Sequence, residues 1–217
     1  MSDLNNRRPL ESRNTNWAKR CAGFLAARAI TPNQISQASI GAALIAGGAF
    51  WMTGLTTNVI LTGGLLVLSA LACQLRLLCN LFDGMVAIEA GKSAPDGPFW
   101  NEYPDRIADI LIFAGVGLGV GSPALGFAAA TMAVLTAYTR ELGTSIGLSP
   151  NFSGPMAKQH RMALITGAAF LAMFEPLLLT PGTILTIALW AVVVGAIATS
   201  VRRAYDIRKS LLQGKSS

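Results

Sequence analysis

The 217 residues are 52% hydrophobic and only 13% charged, with a mean hydropathy of +0.49, whereas soluble domains carry about 25% charged residues. That composition excludes an ordinary soluble domain and predicts an all-α integral membrane protein. A net charge of +6 and a pI of about 9.7 do not point to nucleic acid, because the basic residues stand in short stretches between apolar runs, where they act as topology signals.

Residues 1–16 are polar and lack the apolar core of a secretory signal, so a cytoplasmic tail is expected. Trp17, Cys21, Phe24 and Leu25 then recur at helical spacing while Lys19, Arg20 and Arg28 fall elsewhere on the wheel, the pattern of a helix lying in the membrane interface. An ordinary solvent-facing helix has the same period. Thr31, Pro32 and Gln34 form a helix start, with Thr31 as cap, Pro32 at the first position and Gln34 completing a capping box.

A bilayer core about 30 Å thick needs a helix of about 20 apolar residues, and six such segments follow. They run over 35–52, from 59 through an apolar stretch that ends near Cys73, over 101–120, 124–138, 162–179 and 184–201. The organisation expected is a tail with interfacial helix over 1–33, a six-span domain over 34–201 and a basic tail over 202–217. Of the 17 Lys and Arg residues, six precede the first span, five follow the sixth, and Arg76, Lys92, Arg106, Arg140, Lys158 and Arg161 lie at the second-to-third or fourth-to-fifth connections. The positive-inside rule puts those connections and both termini in the cytoplasm, and six spans satisfy it. The three cysteines, Cys21, Cys73 and Cys79, have no metal or redox spacing, and Glu175, beside Pro176 at the opposite face, is expected to be solvated.

The second span gains Gln74, Arg76, Asn80 and Asp83 toward its end, and the third begins with Asn101, Asp105 and Asp109. Ionisable side chains are costly in an apolar helix and mark a site lined by protein and water. Asn80 and Asp83 are three apart, and Asn101, Asp105 and Asp109 four apart, so each set shares a helix face. Oxygen ligands suit hard cations such as Mg2+, which are shared with substrate phosphates. Metal-assisted phosphoryl chemistry is the natural expectation.

These residues resemble the signature of the CDP-alcohol phosphatidyltransferase family, DxxDGxxAR followed after eight residues by GxxxDxxxD. Asn80, Asp83, Gly84, Ala87 and Ile88 occupy its first half, and Gly97, Asn101 and Asp105 its second. The Thr31-Pro32-Asn33 start and the six-span layout are also similar to that family. The resemblance implies transfer of a phosphatidyl-type group from a CDP-linked lipid such as CDP-diacylglycerol to an alcohol acceptor, with release of CMP. It implies Mg2+ or Mn2+, one or two ions, held by Asn80, Asp83, Asn101 and Asp105, and makes Asp105 the base. Asn33, Gly84, Ala87 and Gly97 would then meet the nucleotide and lipid donor. It further implies a homodimer in a bacterial-type cytoplasmic membrane, with lipid as a partner and no nucleic acid.

Three positions depart from the signature. Asn80 and Asn101 replace carboxylates, so the four positions carry two negative charges instead of four, and weaker metal affinity or a single ion is expected. Ile88 replaces an Arg, leaving Arg76 or Lys92 to supply a cation unless the donor differs. Asp109 shares the Asp105 face but lies about 12 Å along the axis from Asn101 at 1.5 Å per residue; it is a further ligand or a partner of Arg106 or Arg76. Pro104 threatens a kink between Asn101 and Asp105. A second polar group, Tyr138, Arg140, Glu141, Lys158, His160 and Arg161, suits either a charged acceptor, with Arg140, Lys158 and Arg161 as its ligands, or anionic lipid. His160 is not expected to be catalytic. The alternatives to an enzyme are a catalytically silent relative that binds lipid or a partner, and a small cation transporter.

Overall fold

The computed structural model describes residues 15–28, 30–89 and 95–214. The expectations for residues 1–14, for the Ile88 side chain and for Lys92 lie outside the described residues. All regular structure among the described residues is helical: α1 (Asn16–Ala27), α2 (Pro32–Thr53), α3 (Val59–Glu89), α4 (Gly97–Gly119), α5 (Pro123–Ser145), α6 (Lys158–Ala172), α7 (Glu175–Leu178) and α8 (Thr183–Leu212). Of these, α2, α3 and α8 are long and apolar enough to cross a membrane.

The start of α2 forms as its sequence dictates. The Gln34 amide donates to Thr31 Oγ1 at 3.2 Å, the Thr31 amide donates to Gln34 Oε1 at 2.9 Å, and Pro32 takes the first turn. Two otherwise orphaned donors are satisfied.

Helices in lipid gain little from apolar burial and associate by close packing of small residues. Here α2 and α4 touch backbone to backbone, and a Cβ on Gly115 would collide with the Gly47 carbonyl, as one on Gly119 would with that of Phe50. Gly117 and Gly126 bring α4 and α5 together in the same way. The large apolar side chains meanwhile point outward: Ile187, Trp190, Val194, Ile197 and Val201 form an exposed stripe on α8, and Leu68, Leu71 and Leu75 another on α3. A protein with small residues inside and an apolar exterior is built for lipid. α1 is laid against α3 through buried Ala18 and Ala22, with Trp17 edge-on to Phe82 at a centroid distance of 6.0 Å.

Three sequence expectations change. The segment expected as a fifth span ends early: α6 has 15 residues, and a turn at 173–174 separates it from the four-residue α7. The segment expected as a basic tail continues α8 to Leu212, because the buried stripe of Leu189, Val192, Val193, Ala196, Thr199 and Ser200 extends at three- and four-residue spacing to a buried Arg203. Glu175 is not solvated. It is buried and accepts from the Gly182 and Ile184 amides, satisfying the N-terminus of α8.

At 31 residues α3 is about 46 Å long, more than the hydrocarbon core spans. Its polar end therefore extends past the apolar layer, beside the first turns of α4 and α6. α4 stays helical through Pro104, so Asn101 and Asp105 lie on one continuous helix.

Candidate active site

Asp105 is the hub of the polar end. Only 4% exposed, it accepts from Asn80 Nδ2 at 2.8 Å and Arg76 Nη2 at 3.1 Å on one oxygen, while the Lys158 ammonium holds the other. Three helices, α3, α4 and α6, thus converge on one carboxylate. Asp83, 5% exposed, instead turns to α2, where Ser36 Oγ donates at 2.9 Å, and it also accepts from the Gly84 amide.

Below Asp105 lies a buried ion network. Arg161 Nη2 donates to Asp109 Oδ2 at 2.7 Å, and its Nη1 donates to Thr136 Oγ1 and the Met156 carbonyl. Arg76 Nη2 stands 3.7 Å from the other Asp109 oxygen. Burying such charges is costly unless they are paired; here each carboxylate is shared between two cations, while Arg76 Nε and Nη1, Arg161 Nε and Asp109 Oδ1 have no hydrogen-bond partner among the described residues. Asp109 pairs with Arg76 and Arg161 rather than with Arg106, whose side chain binds Glu102.

A cavity of about 380 Å³ opens over this floor. Asn80, Gly84, Asn101 and Asp105 line it from α3 and α4, and Arg140, Lys158 and Arg161 line it from α5 and α6. The motif residues and the second polar group of the sequence therefore form a single site. Asp83, Ala87, Gly97 and Asn33 are not among its lining residues. Asn33 instead donates to the Asp96 carboxylate at 3.1 Å, which also accepts from Trp100 Nε1 at 2.9 Å, one residue before Gly97 opens α4. Asn101 is exposed, its amide 3.5 Å from Glu102 Oε1. His160 is exposed and its Nδ1 meets the Pro155 carbonyl at 3.0 Å.

Three further lining residues escaped the sequence reading, Arg203, Phe152 and Thr136, and Glu102, which could restore charge to the site, also lines the cavity. Arg203 crosses from α8 to donate to the Thr136 carbonyl at 2.6 Å and the Ser153 carbonyl at 3.0 Å. The three- and four-residue spacing of the buried stripe of α8, from Leu189 to Ser200, could have shown it. Arg140 lies over the Phe152 ring, 5.4 Å from its centroid, and shares Glu102 with Arg106. No periodic signal marks Phe152, which belongs to a loop.

The donor set does not fit a pair of divalent ions. Among the described residues no three His, Cys, Asp or Glu side chains gather at one point. The Asn80 amide points its nitrogen at Asp105, and both oxygens of that carboxylate already carry donors. The cavity is instead rich in cations, with Arg106, Arg140, Lys158, Arg161 and Arg203 at its wall against Glu102 and Asp105. Such a wall is suited to polyanionic ligands, Arg in particular to phosphate.

No family model matches the chain. It is 28% identical over 198 residues to the phosphatidylinositol phosphate synthase of Streptomyces avermitilis, covering 87% of this chain and 76% of that protein. To the archaetidylinositol phosphate synthase of Aeropyrum pernix it is 30% identical over 109 residues, 50% of this chain and 56% of the relative. Among solved structures, Mycobacterium tuberculosis phosphatidylinositol phosphate synthase with CDP-DAG bound superposes with a TM-score of 0.74 at 19% identity, over 89% of this chain and 94% of that one. The same enzyme with manganese and citrate gives a TM-score of 0.73 at 19% identity, over 88% of each chain. At that identity the likeness to the solved structures is one of fold.

Proposed function

We propose that this chain, which belongs to the CDP-alcohol phosphatidyltransferase family, transfers the phosphatidyl-type group of a CDP-linked lipid to a phosphorylated alcohol and releases CMP. One observation carries the reading: the motif carboxylate Asp105 and the cations Arg140, Lys158 and Arg161 line the same cavity. A pyrophosphate donor and a phosphorylated acceptor both need such a wall, and a neutral acceptor such as serine does not. The names of the two relatives, an inositol phosphate lipid synthase in each case, support inositol phosphate as the acceptor class.

In the reaction the acceptor hydroxyl attacks the lipid-side phosphorus. An oxygen–phosphorus bond forms, the bond to CMP breaks with its electron pair leaving on CMP, and the hydroxyl proton passes to Asp105, the carboxylate within the cavity. Cations at the wall offset charge on the transferring phosphoryl group. Arg140, partly exposed and already paired with Glu102 and Glu141, holds the acceptor phosphate. The Mg2+ or Mn2+ implied by the motif does not fit the donor set as a pair.

The setting follows from the same reading. On this reading the chain crosses the membrane six times, α6 and α7 together making the fifth crossing over residues 158–178, and the positive-inside rule supports a cytoplasmic side for the cavity and both termini in a bacterial-type inner membrane, with α1 in the interface. The resemblance to the family supports a homodimer. A non-catalytic relative is favoured by one observation, the occupation of Asp105 by Lys158.

Purified protein in lipid vesicles decides between the two. With CDP-diacylglycerol, each of inositol phosphate, inositol, glycerol phosphate and serine, and with and without Mn2+, CMP release is expected for inositol phosphate and is lost in Asp105→Ala. Silence with every acceptor, or equal release by the variant, removes the enzymatic reading.

A further inference from the structure

Aspartate at a metal site leaves lone pairs for the ion, and an ionised carboxylate has about four acceptor positions. Asp105 has its oxygens engaged by Lys158 on one side and by Arg76 and Asn80 on the other. Asp83 is held by Ser36 and the Gly84 amide, within electrostatic reach of both Lys158 and Asp105.

Asn80 explains why this arrangement is stable. An aspartate there would put two carboxylates about as close as the present 2.8 Å contact, and like charges so near ionise together only with a cation between them. The amide donates a hydrogen bond instead, and the need for a bridging ion disappears. The two carboxylates Asp105 and Asp109 already stand against three cations, Lys158, Arg76 and Arg161. A divalent ion on Asp105 would add positive charge beside an ammonium and a guanidinium.

We propose that the Lys158 ε-ammonium is the resident cation of this site, held on Asp105 where the family resemblance places a divalent ion, and that the substrate-free protein binds no divalent ion there. The proposal rests on the reading of the cavity as the donor site. Lysine suits the part because it is a compact charge on a flexible stem. Its side chain is 28% exposed, whereas those of Arg76 and Arg161 are 0% and 2% exposed. An entering donor phosphate draws Lys158 off Asp105, and the freed carboxylate takes the acceptor proton. Arg76 and Asn80 remain to position Asp105.

The test is a Mn2+ titration followed by electron paramagnetic resonance on the purified, nucleotide-free protein in lipid nanodiscs. Wild type is expected to leave the free-ion signal unchanged into the millimolar range. The Asn80→Asp/Asn101→Asp variant gains a site, and adding Lys158→Met tightens it by at least about tenfold, the scale on which partners of a ligand act. The thermal midpoint should rise with Mn2+ in the triple variant and stay constant in wild type. Stoichiometric micromolar Mn2+ binding by wild type overturns the proposal, as do equal affinities in the double and triple variants. If the triple variant does not fold, the wild-type titration decides alone. Tight Mn2+ binding together with CMP release sinks the Lys158 assignment and leaves the transfer reaction standing. No Mn2+ binding and no CMP release does the reverse.

Discussion

Arg161 Nη2 lies 2.7 Å from Asp109 Oδ2, and neither side chain is more than 2% exposed. This pair ties α6 to α4 directly beneath the cavity, and through Asp109 it reaches Arg76 on α3. The floor of the site is therefore an ion network that must form as a unit.

Removing its carboxylate is expected to be costly. Asp109→Asn takes the carboxylate from the buried Arg161 guanidinium and leaves Arg76 to Asp105 alone, with a loss of about 3–5 kcal/mol. Asp109→Asn/Arg161→Met recovers part of it. Chemical unfolding of the purified variants measures both; a double variant less stable than the single one would contradict the network.

The helix contacts make a sharper comparison. Gly115→Ala forces a Cβ into the Gly47 carbonyl, whereas Gly48→Ala meets nothing within 4 Å. The first substitution should cost about 1–3 kcal/mol, and the second should be neutral or stabilising by roughly 0.5–1 kcal/mol, as for an unstrained helical glycine. Thermal midpoints in one detergent read the difference.

At the cavity wall, Arg140 faces acceptors differently according to their charge. Arg140→Gln is expected to raise KM for inositol phosphate by about ten- to a hundredfold, the loss of a charged hydrogen bond of about 1.5–3 kcal/mol, with a smaller change in kcat. Steady-state CMP release over a range of acceptor concentrations gives the split. An unchanged KM would take Arg140 out of acceptor binding.

Glu175 stands at the far end of the molecule and acts on the fold alone. Glu175→Gln weakens the cap on α8 by about 1 kcal/mol without altering CMP release by the folded protein. A thermal shift paired with an activity assay separates the two effects.

The local features were legible in the sequence because each is set by neighbours along the chain. Thr31, Pro32 and Gln34 specify their capping box by spacing alone, and the face shared by Asn101 and Asp105 follows from helical period once α4 is continuous. Composition was enough to read a membrane protein, and the spacing of Asp83, Gly84, Ala87, Gly97 and Asp105 was enough to suggest the family.

The partners of those side chains were not legible, because they come from residues far apart in sequence. Lys158 reaches Asp105 across 53 positions and Arg203 reaches the Thr136 carbonyl across 67. Glu175 looked solvated because its acceptors' donors, the Gly182 and Ile184 amides, become orphans only when α8 starts where it does. Sequence by itself determined which residues are polar within an apolar chain and on which helix face each lies, since hydropathy and helical period are local. Only the tertiary structure decided that Asp105 meets an ammonium and an amide while Asp83 turns away to Ser36, since charge pairing depends on which helices pack side by side.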